Sequence, residues 1–197
     1  MRLFVAVRPD ERALAALERA VQPLRTAAGG PRWVDPARWH VTLAFLGEVA
    51  EPRLPRLAAA LDPAALDPMA LGRPAALGPA VPVRLRIAGA GTFPARSAPR
   101  VLWAGLAGDL AALHTLARVV GRAARSAGIP VERRPFAPHL TLGRWRPGDP
   151  VDRDLVQRLA SYAGPAFEVG EYLLMRSHLG PAPRYDLLRT WSLPGRA

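Results

Sequence analysis

The sequence predicts a mixed helix-and-strand fold in two similar halves, and three observations carry that expectation. The order strand, helix, strand, helix, strand can be read twice along the 197 residues. Each half holds one His-x-Thr tripeptide set in apolar residues, Trp39-His40-Val41-Thr42-Leu43-Ala44-Phe45 and Pro138-His139-Leu140-Thr141-Leu142-Gly143-Arg144. The two histidines lie 99 residues apart, half the chain. Half of the residues are hydrophobic and 22% are charged, which is a globular composition. The length suits one domain or two small, tightly joined lobes with a substantial core.

Leu3 to Val7 is an apolar run that reads as a buried opening strand. Pro9-Asp10 then starts a helix with Leu14, Leu17, Val21 and Leu24 on one face, and Gly29-Gly30 is the expected stop. Trp33-Val34 leads through Asp35-Pro36 into the first motif strand, about Trp39 to Leu46, closed by Gly47. Leu54, Leu57 and Leu61 form the apolar face of a second helix. Residues 62–80 alternate Ala with Asp-Pro, Arg-Pro and Gly-Pro steps, the composition of an exposed connection. Val83, Leu85 and Ile87 alternate with Arg84 and Arg86, a strand with a basic outer face that runs into Gly89-Ala90-Gly91-Thr92-Phe93. That glycine pair is no dinucleotide fingerprint, because Pro94 takes the last glycine's place and no helix follows.

The second half opens on the strand Val101 to Leu106. Asp109 starts a helix carrying Leu110, Leu113, Leu116 and Val120, which ends before Gly128. After the second motif strand, Asp152 caps a helix with Leu155, Val156 and Leu159. Phe167 to Met175 reads as the next strand and Tyr185 to Trp191 as the last. This is the pattern of an internal duplication, with residue identity confined to the motifs.

Side chains alternate along a strand, so His and Thr two apart share one face while Val41/Leu43 and Leu140/Leu142 share the other. If the halves face each other, two imidazoles and two hydroxyls converge on one cleft. Cleaving a phosphodiester without a metal needs a base for the nucleophile, an acid for the leaving oxygen and donors for the phosphoryl oxygens. Histidine fills the first two roles near neutral pH, each worth roughly 10²–10⁴ in rate. Thr42 and Thr141 would donate hydroxyls to the phosphoryl oxygens, and Arg144 would supply fixed positive charge. Arg144 is five residues past His139, so strict alternation sends it to the opposite face. Either Gly143 permits a bulge that turns it inward, or the strand ends there. Phe45 holds the matching position in the first half. A charge at one end of the cleft and a ring at the other suggests phosphate binding beside nucleobase stacking, with a core aromatic as the plainer reading of Phe45.

The formal charge of +11 points to an anionic partner. Every basic side chain except histidine is arginine, which suits bidentate phosphate contacts but also follows from a GC-biased genome. No cysteine is present, so there is no disulfide framework and no thiolate site. No His-x-His or His-x-x-x-His pair and no nearby carboxylate cluster suggests a metal site, and no metal or other cofactor is expected. Neither Gly-x-Ser-x-Gly nor a P-loop occurs. His114 and His178 lack a motif and read as surface or structural residues. The apolar run at the start is far too short for a signal or membrane segment, so the expectation is a cytoplasmic protein with no membrane partner.

The chain resembles the 2H phosphoesterase superfamily, in its RNA 2′,3′-cyclic phosphodiesterase or 2′–5′ RNA ligase-like branch. The marks are Met1 to Val7, Trp39 to Glu48, Gly89 to Phe93, Pro99 to Trp103, Arg134 to Arg144 and the tail Ser177 to Tyr185. The resemblance implies one domain over 1–197 with a bilobal, pseudo-twofold α+β fold. Two antiparallel sheets would face each other across a central cleft, with helices outside. The lobes would come from roughly 1–95 and 96–197, with room for strand exchange. It further implies a monomer that opens RNA or nucleotide 2′,3′-cyclic phosphates to 2′-phosphomonoesters, with slow reverse 2′–5′ ligation. His139 would be the general base, His40 the proton donor, and Thr42, Thr141 and Arg144 would hold the phosphate. His178 stands where the family usually has arginine, on a segment expected to border the cleft. The motifs leave two alternatives open, an RNA-binding module without catalysis and a phosphodiesterase for another cyclic phosphate such as ADP-ribose 1″,2″-cyclic phosphate.

Overall fold

The computed structural model describes residues 1–26, 29–66, 83–95, 98–132, 134–180 and 183–193. In chain order the strands and helices are β1 (Arg2–Val7), α1 (Glu11–Val21), β2 (Arg32–Trp33), β3 (Val41–Glu48), α2 (Leu54–Ala60), β4 (Val83–Phe93) and β5 (Val101–Gly108). They continue with α3 (Leu110–Ser126), β6 (Leu140–Arg144), α4 (Arg153–Ala160), β7 (Ala163–Val169), β8 (Glu171–His178) and β9 (Arg184–Ser192).

Asp10 starts α1 as expected, its carboxylate accepting from the Ala13 N–H at 2.7 Å, a cap worth about 1 kcal/mol. The helix stops at Val21, well short of Gly29-Gly30. Pro23 cannot supply the N–H that an α-helix needs there, and residues 22–24 turn as a 3₁₀ segment that still buries Leu24. Asp152 caps α4 by accepting from the N–H groups of Asp154 and Leu155. Asp109 is used differently: its carboxylate accepts from the Arg84 N–H at 2.9 Å and so ties the start of α3 to β4. The single strand expected over Phe167 to Met175 is two strands, β7 and β8, separated at Gly170. Gly170, between Glu168 and Glu171, is where the apolar pattern is interrupted and the chain turns. Of the connection expected over 62–80, residues 62–66 form a turn that buries Leu66, and 67–80 lie outside the described residues.

All strand pairings are antiparallel, in the order β7-β4-β5-β6-β3-β1-β8-β9, with β2 also paired to β6. The two sheets of the α+β expectation are thus two four-stranded groups, joined between β6 and β3 by one residue pair, Val41 opposite Leu140. Neither group is built by one half of the chain. β4 crosses to pair with β5 and β7, and β8 and β9 return to the β1 side. The helices cross in the same way, since α1 packs on β7 and β4 while α3 packs on β3. Arg12 of α1 fastens the first contact by donating to the Ala166 carbonyl of β7 at 2.7 Å. One continuous apolar core runs beneath both groups, from Leu3 and Val5 through Val41 and Leu140 to Phe167 and Trp191. Among the described residues no helix is long and apolar enough to cross a membrane.

Candidate active site

Val41 and Leu140 are both fully buried, so their neighbours at 40, 42, 139 and 141 point to the other face of the sheet. Continuing the antiparallel register from that one pair sets His40 opposite Thr141 and Thr42 opposite His139. The two motifs therefore interleave, each histidine beside the other half's threonine, about a local twofold through the Val41–Leu140 pair. Apolar burial on one face places the four polar groups on the other. Each of the two buried side chains contributes roughly 1.5–3 kcal/mol to holding that junction closed.

The two imidazoles are oriented alike. His40 Nδ1 lies 2.7 Å from the Arg38 carbonyl and His139 Nδ1 lies 2.7 Å from the Ala137 carbonyl. A carbonyl only accepts, so each Nδ1 carries the proton and each Nε2 is left for the cleft. The chain before each histidine presents that carbonyl. Asp35 accepts from Ala37 N–H at 2.8 Å and shapes the turn that ends at Arg38. Pro138 holds Ala137 in the extended region. Burial pushes both imidazoles below the ordinary value of 6.5, opposed in part by the carbonyl bonds. The positive charge of His139 lowers His40 further, and that of Arg144 lowers His139. Among the described residues neither threonine hydroxyl has a hydrogen-bond partner, so both can donate to a ligand.

Arg144 reaches the His139 face through a bulge. Leu102 pairs with Gly143 but Trp103 pairs with Thr141, so Leu142 is the extra residue. Leu142 and Trp145 both stay buried, and Arg144 swings to the exposed side. β3 does the same with Leu43 and Leu46, each skipped in its pairing with β1. Phe45 is consequently not a core residue. It is 48% exposed, with its ring 6.4 Å from Phe4, which stacks on His40 at 4.9 Å.

Sequence reasoning assigned no role to four further rings at this site. Phe4 and Tyr185 flank His40, the Tyr185 ring perpendicular to the imidazole with its centroid 5.2 Å away. Phe93 and Trp103 flank His139 at 5.0 and 6.4 Å. Rings therefore stand at both ends of the cleft, and the charge of Arg144 marks the His139 end. Gly91 was the available signal for Trp103. A Cβ there would come within 2.4 Å of the indole, so the glycine exists to let Trp103 lie across β4. His114 is elsewhere, on α3 with Phe136 against it at 5.0 Å. His178 pairs through Nε2 with Asp186 at 2.5 Å and, by alternation from Tyr185, sits on the face turned away from His40. Among the described residues no group of three or more His, Asp or Glu is placed to hold a metal ion.

Residues 11–181 match the profile of the 2′-5′ RNA ligase superfamily. The chain is 33% identical over 193 residues to the RNA 2′,3′-cyclic phosphodiesterase of Geobacillus stearothermophilus, covering 98% of this chain and 57% of that protein. It is 31% identical over 195 residues to the protein of the same name from Archaeoglobus fulgidus, covering 97% and 99%. The crystal structure of TT0787 of Thermus thermophilus superposes with a TM-score of 0.69 at 32% identity, covering 100% of both chains. That of E. coli LigT complexed with 3′-AMP gives 0.69 at 26%, covering 98% and 97%. The chain therefore belongs to the 2′-5′ RNA ligase superfamily, the 2H phosphoesterases.

Proposed function

We propose that this chain opens RNA 2′,3′-cyclic phosphate ends to 2′-phosphomonoesters by paired histidine acid–base catalysis, with all of residues 1–197 acting as one unit. The observation that carries it is the interleaving of His40, Thr42, His139 and Thr141 about the Val41–Leu140 pair. A phosphate seated there meets an imidazole on each side and a hydroxyl from each motif. His139 Nε2 takes a proton from water as its oxygen attacks phosphorus. The P–O3′ bond breaks, and His40, protonated, gives its Nε2 proton to the departing 3′ oxygen. Thr42, Thr141 and Arg144 hold the charge that grows on the phosphoryl oxygens. With the 5′-hydroxyl of another RNA in place of water as the nucleophile, the same step breaks the P–O3′ bond and makes a 2′–5′ linkage. Rings beside both histidines suit nucleosides on either side of the phosphate, and relatives named for the RNA activity point the same way.

The test is product analysis. A nucleoside 2′,3′-cyclic phosphate should yield the 2′-phosphate and no 3′-phosphate, with ADP-ribose 1″,2″-cyclic phosphate run beside it as the competing substrate. Binding with no turnover would leave a catalytically silent RNA-binding module. Activity should also survive prolonged EDTA treatment, and recovery of lost activity on adding zinc or manganese would demand a metal mechanism instead.

The profile of kcat/KM against pH should be a bell, because one imidazole must be neutral and the other protonated. Both imidazoles are pushed down from 6.5, so the midpoint between the two limbs should lie below pH 6.5. A midpoint above 7 would show that burial does not dominate their titration.

A further inference from the structure

β6 shares one of its edges between two partners. Leu140 pairs with Val41 of β3, and Gly143 and Arg144 pair with Trp33 and Arg32 of β2. β2 approaches this closely because residue 143 is glycine. A Cβ there would stand 2.5 Å from the Pro31 ring and 3.3 Å from the Arg32 carbonyl. Trp33 lies on the inner side with Gly143, and Arg32 lies directly opposite Arg144 on the outer side. Cα atoms of such a pair are about 5 Å apart. Two guanidinium groups thus emerge side by side where the bulge at Leu142 has already turned Arg144 towards His139.

Like charges directly opposite in a sheet destabilise it. Neither arginine has a carboxylate or hydrogen-bond partner among the described residues, so none of those residues relieves the repulsion. An anion between them would, and one carrying two phosphates would engage both. We propose that Arg32 is a second phosphate site, holding the phosphodiester next to the cyclic phosphate, so that the enzyme selects oligonucleotide ends over mononucleotides. This rests on the cyclic phosphodiesterase reading above. Arg144 serves the reacting phosphate beside His139, and Arg32, one strand further from β5, serves the next phosphate along the RNA.

The experiment compares wild type, Arg32→Ala and Arg32→Lys on a nucleoside 2′,3′-cyclic monophosphate and on a trinucleotide ending in the same group. Arg32→Ala should lose about tenfold in kcat/KM on the trinucleotide, mostly through KM, and stay within about twofold on the mononucleotide. Its log–log salt slope on the trinucleotide should shrink by about 0.7. Arg32→Lys should recover part of the loss, and Arg32→Ala should melt no lower than wild type, since it removes a repulsion. Equal losses on both substrates, or none on either, would overturn the proposal. If wild type turns over neither substrate, the cyclic phosphodiesterase reading fails. Binding of a trinucleotide 2′-phosphate against a nucleoside 2′-phosphate then still decides for or against Arg32 by the same salt-slope difference.

Discussion

His139→Ala and His40→Ala should each lower turnover of a 2′,3′-cyclic nucleotide by roughly 10²–10⁴, and the double variant should lose less than the product of the two. In the proposed mechanism the imidazoles work on opposite sides of one phosphorus, so removing either leaves the other without its partner step. The two variants should separate on an activated phosphodiester. Nitrophenolate leaves without a proton, so His40→Ala should recover much of its lost rate on such a substrate. His139→Ala should not, because water still needs a base. Rescue of His139→Ala instead would exchange the roles. If neither variant is impaired on the cyclic nucleotide, the paired-histidine mechanism is wrong.

Arg144→Ala should cost about 10²–10³ in kcat, the scale on which loss of one preorganised donor to a developing oxyanion is felt. Arg144→Lys should restore part of this, since an ammonium replaces the charge without the two-pronged fork. The pH profile supplies an independent readout. The Arg144 charge holds His139 down, so its removal should raise the His139 pKa. A base must be neutral to act, so the acidic limb of the kcat/KM bell should move to higher pH in Arg144→Ala. If His139 were the acid, the alkaline limb would move up instead. An unchanged profile with full activity would place Arg144 outside the site.

Much of the site was legible in the sequence because it is written in local periodicity. Val41, Leu43, Leu140 and Leu142 had to be buried, and a strand then has no choice about where His40, Thr42, His139 and Thr141 go. Aspartate at 10 and at 152 likewise marked two helix starts, since a cap is a contact within one turn. Arg144 and Phe45 were less readable. Their faces depend on extra residues at Leu142, Leu43 and Leu46, and a bulge is set by the neighbouring strand's register, which no local pattern records.

Local pattern was enough to specify two apolar strands with a histidine and a threonine on their far faces, and the resemblance of those motifs pointed to the family. Tertiary structure alone decided how the strands meet: one pair, Val41 with Leu140, sets each histidine opposite the other half's threonine. It also brought Tyr185 of β9 and Phe4 of β1 to His40, Trp103 of β5 and Phe93 of β4 to His139, and Arg32 to Arg144. These partners lie far apart along the chain or share no motif, and β4, β8 and β9 pair away from the half that encodes them. Periodicity reports which face of an element is buried. Which element buries it depends on shape and register summed over the whole core, and those exist only once the chain has folded.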